Sequence, residues 1–117
     1  MKKMMILITL IIFLVVIGCN NDYQQDDSSP ENTALALCLT EHDVTMYGTE
    51  WCPHCQNQKK AFGSAFKEIN YVDCDKDRNA CEQAGVQGYP TWNINGQNYP
   101  GEQSLDKLAQ LAGCEIE

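Results

Sequence analysis

The chain has 117 residues, of which 44% are hydrophobic and 21% charged, and its formal net charge is −8 at pH 7. This length suits one small domain together with a targeting segment. The acidic balance and the absence of a basic cluster argue against nucleic-acid binding, because contact with a phosphate backbone depends on lysine and arginine.

The first 19 residues have the order of a secretory signal sequence. Lys2 and Lys3 give a basic start, and an apolar run over residues 4–18 ends at Cys19. This ending resembles a bacterial lipobox, in which the cysteine is acylated and becomes the first mature residue, so we expect lipidation at Cys19. An uncleaved membrane anchor is the alternative, although the run is shorter than the roughly 18–20 residues of a spanning helix.

Residues 20–32 form a polar segment without aliphatic residues or a repeating pattern. We expect this segment to be a flexible acidic tether. Residues 33–117 then form the folded domain, which is small enough that cross-links would help its core. The organisation predicts an extracytoplasmic domain held by lipid at the bacterial cell envelope, in the periplasm or on the outer face.

The folded part alternates between helical and strand patterns. The predicted helices lie at residues 33–40, 53–66 and 79–84 and between Ser104, a capping residue, and Gly113, a stop. The predicted strands lie at residues 44–47, 69–73, 91–94 and 97–99. The last two strands flank Asn95-Gly96, a strong hairpin signal. This order predicts an α/β fold with a small mixed sheet of about four strands and helices on its faces.

The pentapeptide Trp51-Cys52-Pro53-His54-Cys55 carries the clearest chemical signal. Dithiol–disulfide exchange needs one exposed, ionised nucleophile and a second thiol near enough to resolve a mixed disulfide. Free N–H groups at a helix start favour a thiolate at Cys52, which leaves Cys55 as the resolving thiol. Pro53 is tolerated in the first helical turn. We expect His54 to stabilise the thiolate, and an exposed polar residue without a role is the alternative. We expect Trp51 to shield the disulfide, and packing alone is the alternative.

Tyr89, Pro90 and Thr91 form a second constellation. A proline that begins a strand after Gly-Tyr suits a cis peptide bond, which would leave backbone groups of Tyr89 free to pair with an extended substrate chain. A trans proline that only starts the strand is the alternative. Together with the upstream cysteine pair, the substrate-binding interpretation is favoured.

These motifs together resemble the thioredoxin superfamily over residues 33–114, and the resemblance implies a thioredoxin-like fold. More narrowly, they are similar to the thioredoxin-like domain fused to bacterial homologues of vitamin K epoxide reductase. The segments that carry this similarity are residues 46–48, 51–59, 70–74 and 88–92. In that subgroup a membrane-embedded, quinone-linked partner oxidises the CxxC pair. The multi-helix membrane domain of the fused form is not part of this sequence, so we expect a stand-alone lipoprotein.

The resemblance implies a thiol-disulfide oxidoreductase of the thioredoxin or protein disulfide isomerase type, without a cofactor. Its expected partners are secreted or envelope proteins with thiols or disulfides and a membrane redox protein, either a quinone-linked oxidase or a reductase. We expect an oxidant, because an anchored, exported domain with Pro53-His54 between its cysteines suits disulfide donation. A reductase or isomerase fed by a membrane electron donor is the alternative.

Two interpretations of another class compete with exchange chemistry. A carrier could bind zinc or copper through Cys52, Cys55 and His54, but no second CxxC or histidine cluster supplies further ligands, so we expect no metal. A protein that only binds partners could keep the pair as a structural disulfide, which requires a buried Cys52.

The remaining cysteines form two candidate pairs. Cys74 and Cys81 correspond to the second cysteine pair of the resembling subgroup, and a bridge across this short loop would stabilise the fold by about 2–3 kcal/mol. A relay redox pair is the alternative. A bridge between Cys38 and Cys114 would join the two ends of the domain, and separate thiols are the alternative. An oxidising compartment permits full pairing.

Overall fold

The computed structural model describes residues 28–115. The predicted signal sequence, the lipidation site at Cys19 and the tether as far as residue 27 lie outside the described residues. The helices are α1 (Pro30–Glu41), α2 (Pro53–Phe62), α3 (Arg78–Gln83) and α4 (Leu105–Ala112), with a 3₁₀ helix at Gly63–Glu68. The strands are β1 (Thr45–Gly48), β2 (Asn70–Asp73), β3 (Thr91–Ile94) and β4 (Gln97–Pro100). Within residues 28–115, no helix has the length and apolar character needed to cross a bilayer.

The four strands form one mixed sheet in the order β2-β1-β3-β4. β1 is parallel to β2 and antiparallel to β3, and β3 and β4 form an antiparallel hairpin. The parallel pair needs a crossover, which α2 and the 3₁₀ helix supply. The predicted α/β class, with four strands in a mixed sheet flanked by helices, is confirmed.

Two helix boundaries differ from the sequence prediction by three residues or more. α1 begins at Pro30, within the segment assigned to the tether, because the Ser29 side chain accepts the N–H of Asn32 and proline suits the first helical turn. α2 ends at Phe62, four residues early, because Gly63 adopts a φ of 62° that breaks the α-helical path. The chain continues as the 3₁₀ helix.

Gln58 is a polar residue in the core that fixes the position of α2. Its Oε1 accepts hydrogen bonds from Trp92 Nε1 at 3.1 Å and from the Gln103 N–H at 2.8 Å, and its Nε2 donates to the Gln103 carbonyl at 3.0 Å. The side chain is 2% exposed. Since these buried polar groups satisfy one another, α2 is tied both to β3 and to the segment before α4.

Both candidate cysteine pairs are disulfide-bonded in the structure. Cys38–Cys114 joins α1 to the end of α4 across 76 positions, and its Cα atoms lie 6.1 Å apart. Cys74–Cys81 joins the end of β2 to α3. Cys74 and Cys81 are both buried, which favours a structural bridge over a relay pair, because exchange requires access to a sulfur.

Candidate active site

Cys52 is the N-cap residue of α2. Its backbone is extended, and its Sγ accepts the N–H of Cys55 at 3.2 Å. This position points the sulfur at the unpaired N–H groups and the positive dipole end of the helix. Pro53 follows in the first helical turn, where the missing N–H costs no hydrogen bond. A hydrogen bond to a charged acceptor is stronger than one to a neutral acceptor, so the cap stabilises negative charge that develops on this sulfur during exchange.

Cys52 is less accessible than the sequence predicts. The expectation was an exposed nucleophile, but only 5% of the residue is exposed. The Tyr89 carbonyl lies 3.6 Å from its Sγ, so a loop distant in sequence covers the thiol. Low exposure alone also fits a structural disulfide. The N-cap geometry and the unlike surroundings of the two cysteines favour exchange.

Trp51 and Tyr89 flank this covered thiol. Their rings meet edge to face with centroids 6.3 Å apart, and 64% of Trp51 is exposed. The Trp51 Nε1 donates to Asp75 Oδ2 at 2.7 Å. Trp51 is therefore a surface residue beside the cysteine pair, and it is not packed in the core.

Cys55 lies in a different environment, because it is fully buried. Burial first, and then a hydrogen bond with Cys52, raise the pKa of the Cys55 thiol to about 12. The Thr49 backbone N–H and the Lys59 ammonium act in the opposite direction. At neutral pH Cys55 is thus a protonated thiol beneath the Cys52 sulfur. The two cysteines differ in environment, as an attacking and a resolving cysteine must.

The His54 imidazole pairs with a residue that sequence reasoning missed. Its Nδ1 lies 2.7 Å from Glu102 Oε1, and Asn57 Nδ2 donates to the same oxygen at 3.2 Å. These two hydrogen bonds hold the pKa of Glu102 below its ordinary value of 4.5. The imidazole therefore bonds to Glu102 and not to the Cys52 sulfur. No local signal identifies Glu102, which lies just after β4 and 48 positions from His54.

The Tyr89–Pro90 peptide bond is cis. Pro90 is buried directly before β3, and Thr91 Oγ1 donates to the Gly88 carbonyl at 2.8 Å. This arrangement holds the Tyr89 backbone beside Cys52. An extended client chain that pairs with that backbone would thus lie next to the sulfur.

A second missed cluster lies behind Cys55. Lys59 Nζ pairs with Glu50 Oε1 at 2.8 Å and lies 4.2 Å from the centroid of the Tyr71 ring. Lys59 follows Cys55 by four residues on α2, so the two share a helix face. That spacing is a signal that could have identified Lys59. Glu50 and Tyr71 come from other elements and depend on the fold.

The candidate metal ligands do not assemble around Cys52 and Cys55. His54 bonds to Glu102 and does not join the two cysteines as a third ligand. In the described part of the chain, donor atoms converge instead at Cys38, His42 and Cys114. The two sulfurs of that group are bonded to each other.

Comparisons with known proteins agree with this geometry. The family model described as Thioredoxin matches residues 36–112. The thiol-disulfide oxidoreductase LTO1 of Arabidopsis thaliana is 41% identical over 99 residues, which cover 77% of this chain and 26% of that protein. The protein disulfide isomerase-like 2-2 of Oryza sativa subsp. japonica is 33% identical over 79 residues, which cover 56% of this chain and 21% of the relative. The chain thus spans about a quarter of the length of these relatives.

Among solved structures, the oxidised thioredoxin from Plasmodium falciparum is 19% identical to this chain, with a TM-score of 0.44. The alignment covers 74% of this chain and 90% of the thioredoxin.

Gly48 ends β1 against the Cys55 sulfur, which gives a test of the packing at the site. A Cβ at Gly48 would lie 2.9 Å from Cys55 Sγ, and the buried sulfur has little room to move. Overpacking of this kind typically costs about 1–3 kcal/mol, so Gly48→Ala should lower the free energy of unfolding in urea by that amount. Gly88→Ala is the control, because a Cβ there meets no atom within 4 Å. Equal losses in the two variants would contradict the close approach.

Proposed function

The chain belongs to the thioredoxin family, and on that basis we propose that it is a thiol-disulfide oxidoreductase that exchanges disulfides with client proteins through Cys52 and Cys55. The observation that carries the proposal is the asymmetry of the pair. Cys52 caps α2 and accepts an N–H, whereas Cys55 is a buried thiol whose pKa is raised to about 12. The relatives, a thiol-disulfide oxidoreductase and a protein disulfide isomerase-like protein, support it.

In the oxidising direction, a client thiolate attacks the Cys52 sulfur of the Cys52–Cys55 disulfide. The bond between the two cysteines breaks, and Cys55 leaves as a thiolate that takes a proton from solvent. A second client thiolate then attacks the client sulfur of the mixed disulfide, so a client disulfide forms and Cys52 leaves as a thiolate. Two electrons pass from the client to the enzyme, and the cap of α2 stabilises the departing Cys52 sulfur.

We favour oxidation of secreted or envelope proteins over reduction. A cap that stabilises the thiolate stabilises the reduced enzyme, and a stabilised reduced form makes the disulfide a stronger oxidant. A reductase or isomerase is the second candidate function. The isomerase-like names among the relatives and the buried, protonated Cys55 favour that alternative.

We place the protein outside the cytoplasm, anchored to a bacterial membrane through lipid on Cys19. The basic start, the apolar run and the terminal cysteine of the first 19 residues support this location. So do the bonded pairs Cys38–Cys114 and Cys74–Cys81, because disulfides persist in oxidising compartments. A quinone-linked membrane oxidase of the vitamin K epoxide reductase type is the proposed partner that restores the disulfide.

Removal of the resolving thiol tests the exchange activity. In Cys55→Ala, client proteins attached to Cys52 cannot be released by attack from position 55, so mixed disulfides should accumulate and be visible on non-reducing gels. The Cys52→Ala/Cys55→Ala double variant is the matched control and should show none. Failure of the single variant to trap any client would contradict the proposed function.

The reduction potential of the Cys52–Cys55 couple tests the direction. Equilibration with glutathione should give a value nearer to the ~−120 mV of a strong disulfide donor than to the ~−270 mV of thioredoxin. A value at the thioredoxin end would instead favour the reductase alternative.

Membrane anchoring is tested at Cys19. Cells fed labelled palmitate should incorporate the label into the wild-type chain and not into Cys19→Ser, since the acylated sulfur is gone. A wild-type chain that is recovered in the membrane fraction without label would favour the uncleaved anchor over the lipoprotein.

A further inference from the structure

Cys55 must lose and regain a proton during exchange, although its buried thiolate is not stabilised by water. Its sulfur is fully buried below the Cys52 cap, and the end of β1 at Gly48 closes one side. Water that would normally stabilise a thiolate is excluded there, and burial is the largest cause of the raised pKa of Cys55. The protein itself has to supply the stabilising charge.

Lys59 is placed to supply that charge. It lies one helical turn after Cys55 on the same face of α2. Its side chain is 22% exposed, and its Nζ lies 4.2 Å from the centroid of Tyr71 and 5.5 Å from that of Phe66. Charges that are mostly removed from water are screened less, so the ammonium acts on Cys55 more strongly than a surface lysine would.

Contacts from three elements hold the ammonium in this position. Glu50, in the loop between β1 and α2, accepts its hydrogen bond at 2.8 Å. Tyr71 on β2 and Phe66 in the 3₁₀ helix present their rings to it, a favourable arrangement for a cation. The geometry at Lys59 is therefore set by the packing of α2 on the sheet.

The other groups around Cys55 do not supply a positive charge. Cys52 caps the same helix, and Thr49 contributes only a backbone N–H. Tyr71 faces Cys55 from β2, and burial, followed by the charges of Glu50 and Asp73, raises its pKa, so its hydroxyl stays neutral. Within the described residues, Lys59 is the one cation among the groups that act on Cys55.

We propose that Lys59 is a positioning residue for disulfide exchange, whose ammonium, held by Glu50 and the Tyr71 ring, stabilises Cys55 as a thiolate. The inference rests on the proposed function and adds a residue to it. When the mixed disulfide is resolved, the Cys55 proton leaves the buried site and ends in the solvent, and the Cys55 thiolate attacks the Cys52 sulfur. The Cys52–Cys55 bond forms, the bond from Cys52 to the client breaks, and the client leaves as a thiolate. In the reverse direction Lys59 stabilises Cys55 as the leaving group.

The test follows the two steps separately in the full-length chain, reduced at Cys52 and Cys55. 5,5′-Dithiobis(2-nitrobenzoate) reacts first with Cys52 at a rate proportional to reagent concentration, and Cys55 then releases the second chromophore at a rate independent of it. Lys59→Met should slow this second phase about tenfold at pH 7 and move its pH dependence upward by about one unit, since one pKa unit is a tenfold change. Lys59→Arg should restore both.

Lys60→Met is the matched control, because it removes the same charge from an exposed position on the same helix. It corrects for any effect of net charge on the anionic reagent and should leave the second phase within the wild-type range. If Lys59→Met does not fold, Lys59→Gln replaces it, because it removes the same charge while it keeps a polar end for the partly exposed side chain.

A folded Lys59→Met protein with a wild-type second phase would overturn the proposal, as would equal slowing in Lys59→Met and Lys60→Met. If Lys59→Met does not fold, a wild-type second phase in Lys59→Gln would overturn it equally. Loss of thermal stability without a change in the second phase would assign Lys59 a structural role only. The absence of a second phase in the wild-type protein would instead contradict the proposed exchange function itself.

Discussion

The Cys52 sulfur accepts the N–H of Cys55 at the start of α2, and the reactive geometry follows from this contact. It fixes the sulfur at the positive end of the helix and places the second cysteine directly beneath the first. The contact holds only if α2 itself is fixed. Gln58 does this through its buried hydrogen bonds to Trp92 and to the backbone of Gln103. The capping interaction at the start of α2 is thus maintained by the hydrogen bonds of Gln58 further along the same helix.

The same helix gives the two cysteines opposite properties. Cys52 faces the cis Tyr89–Pro90 loop, and the Tyr89 carbonyl lies 3.6 Å from its Sγ. Cys55 faces the interior, where burial keeps it protonated and Lys59 is the nearby cation that offsets part of that effect. Exchange requires both properties at once, because the first sulfur has to be reached by a client and the second has to be kept from it until resolution.

Features that depend on local chemistry could be predicted from the sequence. The hairpin at Asn95-Gly96, the cap at Ser104 and the stop at Gly113 each follow from residues within a few positions, and the structure contains all three. The motif around Cys52 and Cys55 belongs to the same class. The early start of α1 could also have been predicted from Ser29 and Pro30, which form a typical helix start. This pair lies inside a polar segment whose composition is that of a tether.

Features that depend on tertiary contact could not be predicted. The cover over Cys52 comes from Tyr89, 37 positions away, and the partner of His54 is Glu102, 48 positions away. Glu50 meets Lys59 only because the loop after β1 folds back along α2. Such pairs carry no periodic or spacing signal, since they depend on how α2 and the loops beside it pack against the sheet.

Site-resolved alkylation measures the unequal reactivity of the Cys52 and Cys55 thiols. The full-length chain, with Cys52 and Cys55 reduced and both other disulfides intact, is treated with iodoacetamide at a series of pH values, and each cysteine is followed by peptide mass spectrometry. Cys52 should be modified at neutral pH while Cys55 stays protected, because Cys55 is buried and protonated. Equal rates at the two cysteines, or faster modification of Cys55, would contradict this expectation.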